Sequence, residues 1–224
     1  MTALYFGVNT SYASTGLGAV HTVKSGSVLW IPPHALMTSE GSTGYSITTA
    51  TTDGPTNGLE LTGKRHWLTE PLAAAVTISG TISIKICGYE SSMSANAKFG
   101  VLIQKVSAVD FSLTTISDSV DDAEMVYSAG DNTWTTTPTS TQLAKGDRIR
   151  FVPYIDDAGT MSAGYNVYFY YNGTDTAGYD SNVSFNETLT FMTFSGSQYL
   201  YPTNTASDVS TSDVDYKIWT SRGT

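Results

Sequence analysis

Between Val76 and Gly88 one parity of the chain reads Val76, Ile78, Gly80, Ile82, Ile84, Ile86, Gly88. The other reads Thr77, Ser79, Thr81, Ser83, Lys85, Cys87. Side chains change faces at every residue of a β-strand, so this run predicts a strand with one face in a core and one toward water. The period returns at Lys98–Val106, where Phe99, Val101 and Ile103 share a parity, and at Asp147–Tyr154, where Ile149 and Phe151 oppose Arg148 and Arg150. It returns again at Asn166–Tyr171 (Val167, Phe169, Tyr171) and at Asn182–Phe191 (Val183, Phe185, Leu189, Phe191). Polar turns such as Lys145-Gly146-Asp147, Asp157–Gly159 and Asn172-Gly173 stand between these runs. Short strands joined by turns, with no helical period between them, predict an all-β, jelly-roll-like antiparallel β-sandwich with extended N- and C-terminal segments.

Composition narrows the function classes. Charged residues make up only 14% of the 224 residues, and the chain carries 14 tyrosines and 4 tryptophans, which argues for a folded protein. The formal net charge of −9 disfavours nucleic acid, whose binding needs cations to displace phosphate counterions. It equally disfavours an anionic membrane surface. Cys87 is the sole cysteine, so no intrachain disulfide forms. Met1–Phe6 lacks a basic stretch followed by an apolar one, so no signal peptide is expected. The Asn-x-Ser/Thr sequons at Asn9, Asn172, Asn182 and Asn186 are then chance matches in a Ser/Thr-rich chain.

Three regions are expected: an N-terminal β-rich arm or subdomain over residues 1–63, the sandwich over 64–194, and an extended docking segment over 195–224. The first contains short β-like pieces at Ala3–Phe6, Ser27–Ile31 and Tyr45–Thr49. Glu187 interrupts the apolar parity of Asn182–Phe191. It should therefore find a cation among Arg148, Arg150 and Lys85, or be turned outward by a bulge. Leu4-Tyr5-Phe6 near one end is echoed by Leu200-Tyr201 near the other, and Ile218-Trp219 places a large aromatic close to the C-terminus. These seven positions, Leu4, Tyr5, Phe6, Leu200, Tyr201, Ile218 and Trp219, form the expected partner interface. Folding back onto the sandwich is the competing explanation for the terminal aromatics.

Catalytic signatures are missing. His21, His34 and His66 have no metal-ligand spacing, and neither a nucleophile elbow nor a phosphate-binding loop is present. Spacing alone leaves paired acids open, with Asp121-Asp122 and Asp156-Asp157 as the obvious pairs. Acids beside turns usually bond their own backbone. Asp156, Asp157, Asp175, Asp180 and Asn182 offer hard oxygen ligands for calcium, but no calcium-loop pattern supports it, and solvated loop acids are the simpler explanation. No catalytic, cofactor-binding or metal-ligating residue is assigned, and no cofactor is expected. Trp134, Tyr168 and Tyr170 stand out instead as aromatics for stacking on sugar rings or for burial in an interface. Cover by a second sheet is the alternative.

Several segments resemble a virion structural protein of tailed bacteriophages. They include Glu70-Pro71-Leu72-Ala73-Ala74, Gly88-Tyr89-Glu90-Ser91, Ser94-Ala95-Asn96-Ala97, Leu143–Arg150, Tyr168–Gly173, Phe185–Leu189 and Trp219–Gly223. The resemblance runs from about Glu70 to the end and rests on strand ends and turns. It implies a jelly-roll protein displayed on the particle as capsid decoration, collar or tail component. Such a protein has no catalytic residues, binds other virion proteins, associates as a homo-oligomer and is made in the host cytoplasm. The alternative is a carbohydrate-binding β-sandwich that grips a host-surface glycan through Tyr168, Tyr170 and Trp134. A glycan-cleaving enzyme stands third.

Overall fold

The alternating rows close into two β-sheets around one apolar interior. The computed structural model describes residues 1–6, 34–37, 44–52, 59–60, 66–110, 112–171, 173 and 180–192. Its strands are β1 (Thr2–Phe6), β2 (His34–Met37), β3 (Tyr45–Ala50), β4 (Leu59–Glu60), β5 (Trp67–Leu68), β6 (Val76–Ile78) and β7 (Ile82–Glu90). They continue as β8 (Ala97–Val106), β9 (Leu113–Val120), β10 (Gly130–Thr136), β11 (Thr141–Leu143), β12 (Arg148–Asp157), β13 (Asn166–Tyr171) and β14 (Asn182–Phe185). Among the described residues the single helical piece is a 3-10 turn at Met93–Ala95.

β7 is the spine of the first sheet. One edge of it carries β10, and the other carries β14 and β13 end to end, pairing with Ile82–Lys85 and Cys87–Glu90 respectively. β1 then adds to β14, and β3 to β13. The second sheet is built on β12, flanked by β8 and then β9 on one edge and by β5 and β4 on the other. β2 pairs antiparallel with β1 and parallel with β5, which joins the two sheets along one side. β6 and β11 make a separate two-stranded ladder.

The sequence rows account for the core. Ile82, Ile84 and Ile86 of β7 meet Phe99, Val101 and Ile103 of β8 and Ile149, Phe151 and Ile155 of β12, all buried. Aromatic edges fill the centre: Phe6 lies 5.1 Å from Trp67 and 5.8 Å from Phe169 in T-shaped contacts. Such pairs add about 0.5–1.5 kcal/mol each beyond area burial. Arg148, also buried, donates from Nη1 to the Thr69 carbonyl at 2.7 Å and lies 3.6 Å from Glu70.

Two expectations change. The strand predicted over Val76–Gly88 is two strands, broken at residues 79–81. Glu187 sits at the break. Its parity does not continue the β14 row, because β14 ends at Phe185 and the chain turns at Asn186–Glu187. The Ser79 and Gly80 N–H groups donate to Glu187 Oε1 at 2.9 and 2.7 Å, so backbone donors take the place of the expected cation. The chain returns to the core at Leu189, beside a lone bridge between Leu72 and Phe191. The described parts of residues 1–63 contribute β1–β4 to the two sheets. The piece expected at Ser27–Ile31, and all of residues 195–224, lie outside the described residues.

Candidate binding surface

The register of β13 against β7 decides which aromatics face outward. Val167, Phe169 and Tyr171 are buried, so Tyr168 and Tyr170 project from the outer face of the first sheet. There Tyr168 sits opposite Tyr89, and Tyr170 opposite Cys87. The Tyr89 ring stacks with Tyr168 at 4.6 Å and 15°, and with Tyr170 at 6.0 Å and 21°. Cross-strand aromatic pairs of this kind stiffen a sheet. Tyr89 was missed as a candidate although it shares the outward parity of Ser83, Lys85 and Cys87.

A charged group borders the tyrosines. Lys85 forms ion pairs with the buried Asp180 and with Asp131, the latter at 3.6 Å. Thr133 of β10 and Asn182 of β14 lie on either side of Lys85. Lys85, Thr133 and Asn182, with Ser83, Ile84, Trp134 and Thr135, line a shallow depression. Tyr5 follows in the same row, opposite Asn182.

Ser181 seals the joint where β13 gives way to β14. The Cys87 N–H donates to its Oγ at 2.8 Å, and Oγ donates to the Tyr170 carbonyl at 2.6 Å. Cys87 is 1% exposed. Burial, then the charges of Asp131 and Asp180, push its thiol up to about 12 against the opposing Lys85. A protonated, enclosed thiol is a poor nucleophile.

Trp134 borders the depression, but its side chain is directed elsewhere. It pairs with Ile84 and therefore faces the sandwich interior, half-buried against the core. Its Nε1 donates to Ser119 Oγ at 3.1 Å, and Ser117 bonds Thr136 through their hydroxyls at 3.0 Å. Both contacts bridge β10 to β9, across the side of the sandwich that β2 does not close.

The expected partner residues divide. Leu4 (1% exposed) and Phe6 (0%) belong to the core rather than to a docking surface, because the inward parity of β1 carries them. Tyr5 is on the outer face. Leu200, Tyr201, Ile218 and Trp219 lie outside the described residues.

The acid pairs engage their own turns. Asp121 accepts the Ala123 N–H at 3.1 Å, Asp156 the Asp157 N–H at 2.9 Å, and Asp157 the Gly159 N–H at 2.9 Å. Among the described residues no group of three or more His, Cys, Asp or Glu side chains is placed to hold a metal ion. His66 is buried, while His21 and Asp175 lie outside the described residues.

The fold defines the chain as an antiparallel β-sandwich. No protein-family model matches it, and no curated protein does. A CocE/NonD family hydrolase from Staphylococcus aureus superposes with a TM-score of 0.52 at 8% identity, covering 81% of this chain and 35% of the hydrolase. At that identity the likeness concerns the fold alone, and the chain spans about a third of that protein's length. Weaker likenesses include the N-terminal cellulose-binding domain of Cellulomonas fimi β-1,4-glucanase C, at TM-score 0.30 and 12% identity over 64% of this chain and 90% of that domain. They also include a protein of infectious bursal disease virus, at TM-score 0.27 and 14% identity over 64% of this chain and 33% of the viral one. Likenesses that loose do not bear on what this chain binds.

Proposed function

We propose that this chain is a non-enzymatic bacteriophage virion protein that binds other virion proteins, as capsid decoration first and as collar or tail component next. The observation that carries the reading is the tyrosine-covered outer face of the first sheet, where Tyr5, Tyr89, Tyr168 and Tyr170 share one side. Tyrosine supplies large contact area with a polar tip at little entropic cost, the composition that protein interfaces favour. Strand pairing and ring stacking hold three of these side chains in place before any partner arrives. The sequence resemblance from about Glu70 onward supports the virion setting, and symmetric self-association would bury such a face.

Mass spectrometry of purified particles with a copy-number estimate tests the reading. Hundreds of copies are expected for capsid decoration, and about a dozen or fewer for collar or tail. Substituting Tyr168→Ala with Tyr170→Ala should weaken particle binding by at least about tenfold while the far-ultraviolet spectrum stays β-type. A chain absent from particles, or a double variant that binds fully, overturns it.

The same stacked rings favour a second reading, adhesion to a surface glycan, since Tyr170 and Asn182 stand opposite Cys87 and Lys85, successive positions on the outward row of β7. Saturable binding on a glycan array, lost with Tyr170→Ala, would establish it. Silence across sugars would remove it.

A further inference from the structure

Glu90 is the last residue of β7 and continues its inward row after Ile86 and Gly88, so its carboxyl lies inside the sandwich, 0% exposed. Its Oε2 accepts the Ala97 N–H at 2.9 Å. Its Oε1 is buried and receives no donor, and the same holds for Oε1 of Glu124. The next two residues after Glu124 are tied to the same place by main-chain bonds, Met125 to Ala97 and Val126 to Glu90, which brings the Glu124 carboxyl beside that of Glu90. Ionised carboxylates only accept hydrogen bonds, so two of them can bond each other only through a proton.

The location gives this proton a structural task. Glu124 belongs to residues 121–129, the connection that leaves β9 in the second sheet and enters β10 in the first. Main-chain bonds hold the connection down: Asp121 N–H to the Phe99 carbonyl at 2.8 Å, Met125 N–H to Ala97 at 2.9 Å, and Glu90 N–H to Val126 at 3.0 Å. Met125 is buried beneath it, while Val126 and Tyr127 are 42% and 65% exposed on top.

We propose that one proton shared by Glu90 and Glu124 acts as a latch on the crossing between the sheets, and that losing it as pH rises loosens residues 121–129. This device is independent of what the tyrosine face binds.

The electrostatics agree with the geometry. Burial raises the Glu90 carboxyl, the Ala97 N–H opposes, and Glu124 adds its hydrogen bond and its charge, for a value of about 7. A carboxyl raised on folding contributes stability that is complete below its unfolded value and is lost as pH rises through its folded one. The window here runs from the ordinary carboxyl range up through about 7.

The surrounding ionisable groups do not change the sign. The connection carries Asp121 and Asp122, and β8 carries Lys98. Asp156 and Asp157 of β12 sit opposite Lys98 and Ala97, and β13 presents Val167 opposite Glu90. Lys98 acts on Asp121, whereas the charge acting on Glu90 is Glu124.

Amide hydrogen exchange of the full chain, corrected for intrinsic rates, tests the latch between about pH 5 and pH 9. Protection of the Asp121 and Met125 amides should fall by at least about tenfold between about pH 5 and pH 7 and level off above that, with the β8–β12 ladder as internal control. Glu124→Gln removes the second carboxyl but leaves the burial of Glu90, and should show a clearly smaller fall. Carbon NMR titration of the unsubstituted chain should give Glu90 a midpoint near neutrality, which requires no variant to fold. A flat profile in the unsubstituted chain, an equal fall in Glu124→Gln, or a Glu90 midpoint in the ordinary carboxyl range would each overturn the proposal.

Discussion

At Gly88 a β-carbon would lie 2.4 Å from the Tyr168 carbonyl oxygen and 2.6 Å from the Phe99 ring. Phe99 belongs to the opposite sheet, so its ring occupies the space that a side chain on β7 would need. Gly88→Ala should therefore destabilise the fold by about 1–3 kcal/mol, because neither backbone nor a packed ring yields easily. Urea unfolding would show a lower midpoint at unchanged slope, and an unchanged midpoint would mean the sheets can separate locally. The apolar parity of Gly88 was legible in the sequence. The ring that fills it was not, since Phe99 arrives from another sheet. Glu187 is an acid on an apolar row in the sequence, and the structure shows Glu90 to be another, since β7 runs two residues past the row that ends at Gly88. In each case the solution lay in a tertiary neighbour: a second carboxyl for Glu90 and turn amides for Glu187.

At the scale of elements, the Glu187 carboxylate caps the break between β6 and β7. Burial works to raise that carboxyl, but the Ser79 and Gly80 donors outweigh it and hold it below the ordinary range. Its contribution is therefore present above the unfolded value and lost as pH falls through the folded one. Glu187→Ala should cost about 1 kcal/mol at neutral pH, and less in acid, where the native carboxyl is itself protonated. Thermal melts of both chains at neutral and acidic pH would show the gap narrowing; a constant gap would assign the loss to packing. β9 and β10 escaped the sequence reading for a related reason. β9 buries the consecutive residues Ile116 and Ser117 beside a register shift, and β10 turns Asn132 and Trp134 inward. Asn132 satisfies its amide on the Ile86 and Gly88 carbonyls at 3.2 and 3.1 Å, so a polar residue occupies an inner position without penalty.

For the whole molecule, the two sheets share one core that draws on most strands of both, which predicts cooperative unfolding. Cys87 offers an internal reporter. An enclosed thiol pushed up to about 12 should react with an alkylating reagent only when the molecule opens. Native labelling should be about a thousandfold or more slower than labelling in denaturant, and should rise with urea in step with global unfolding. Fast native labelling would show that the joint between β13 and β14 opens on its own.

Periodicity alone determined that this chain is all-β, where Phe99, Val101, Ile149, Phe151, Val167 and Phe169 point, and that Tyr168 and Tyr170 oppose them, because alternation is a property of each strand by itself. Which outward residues become a surface was decided by tertiary pairing. Register set Tyr168 beside Tyr89, turned Trp134 to the inner side with Ile84, and drew Leu4 and Phe6 into the core. Register depends on contacts between residues far apart in the chain, and local sequence carries no record of them.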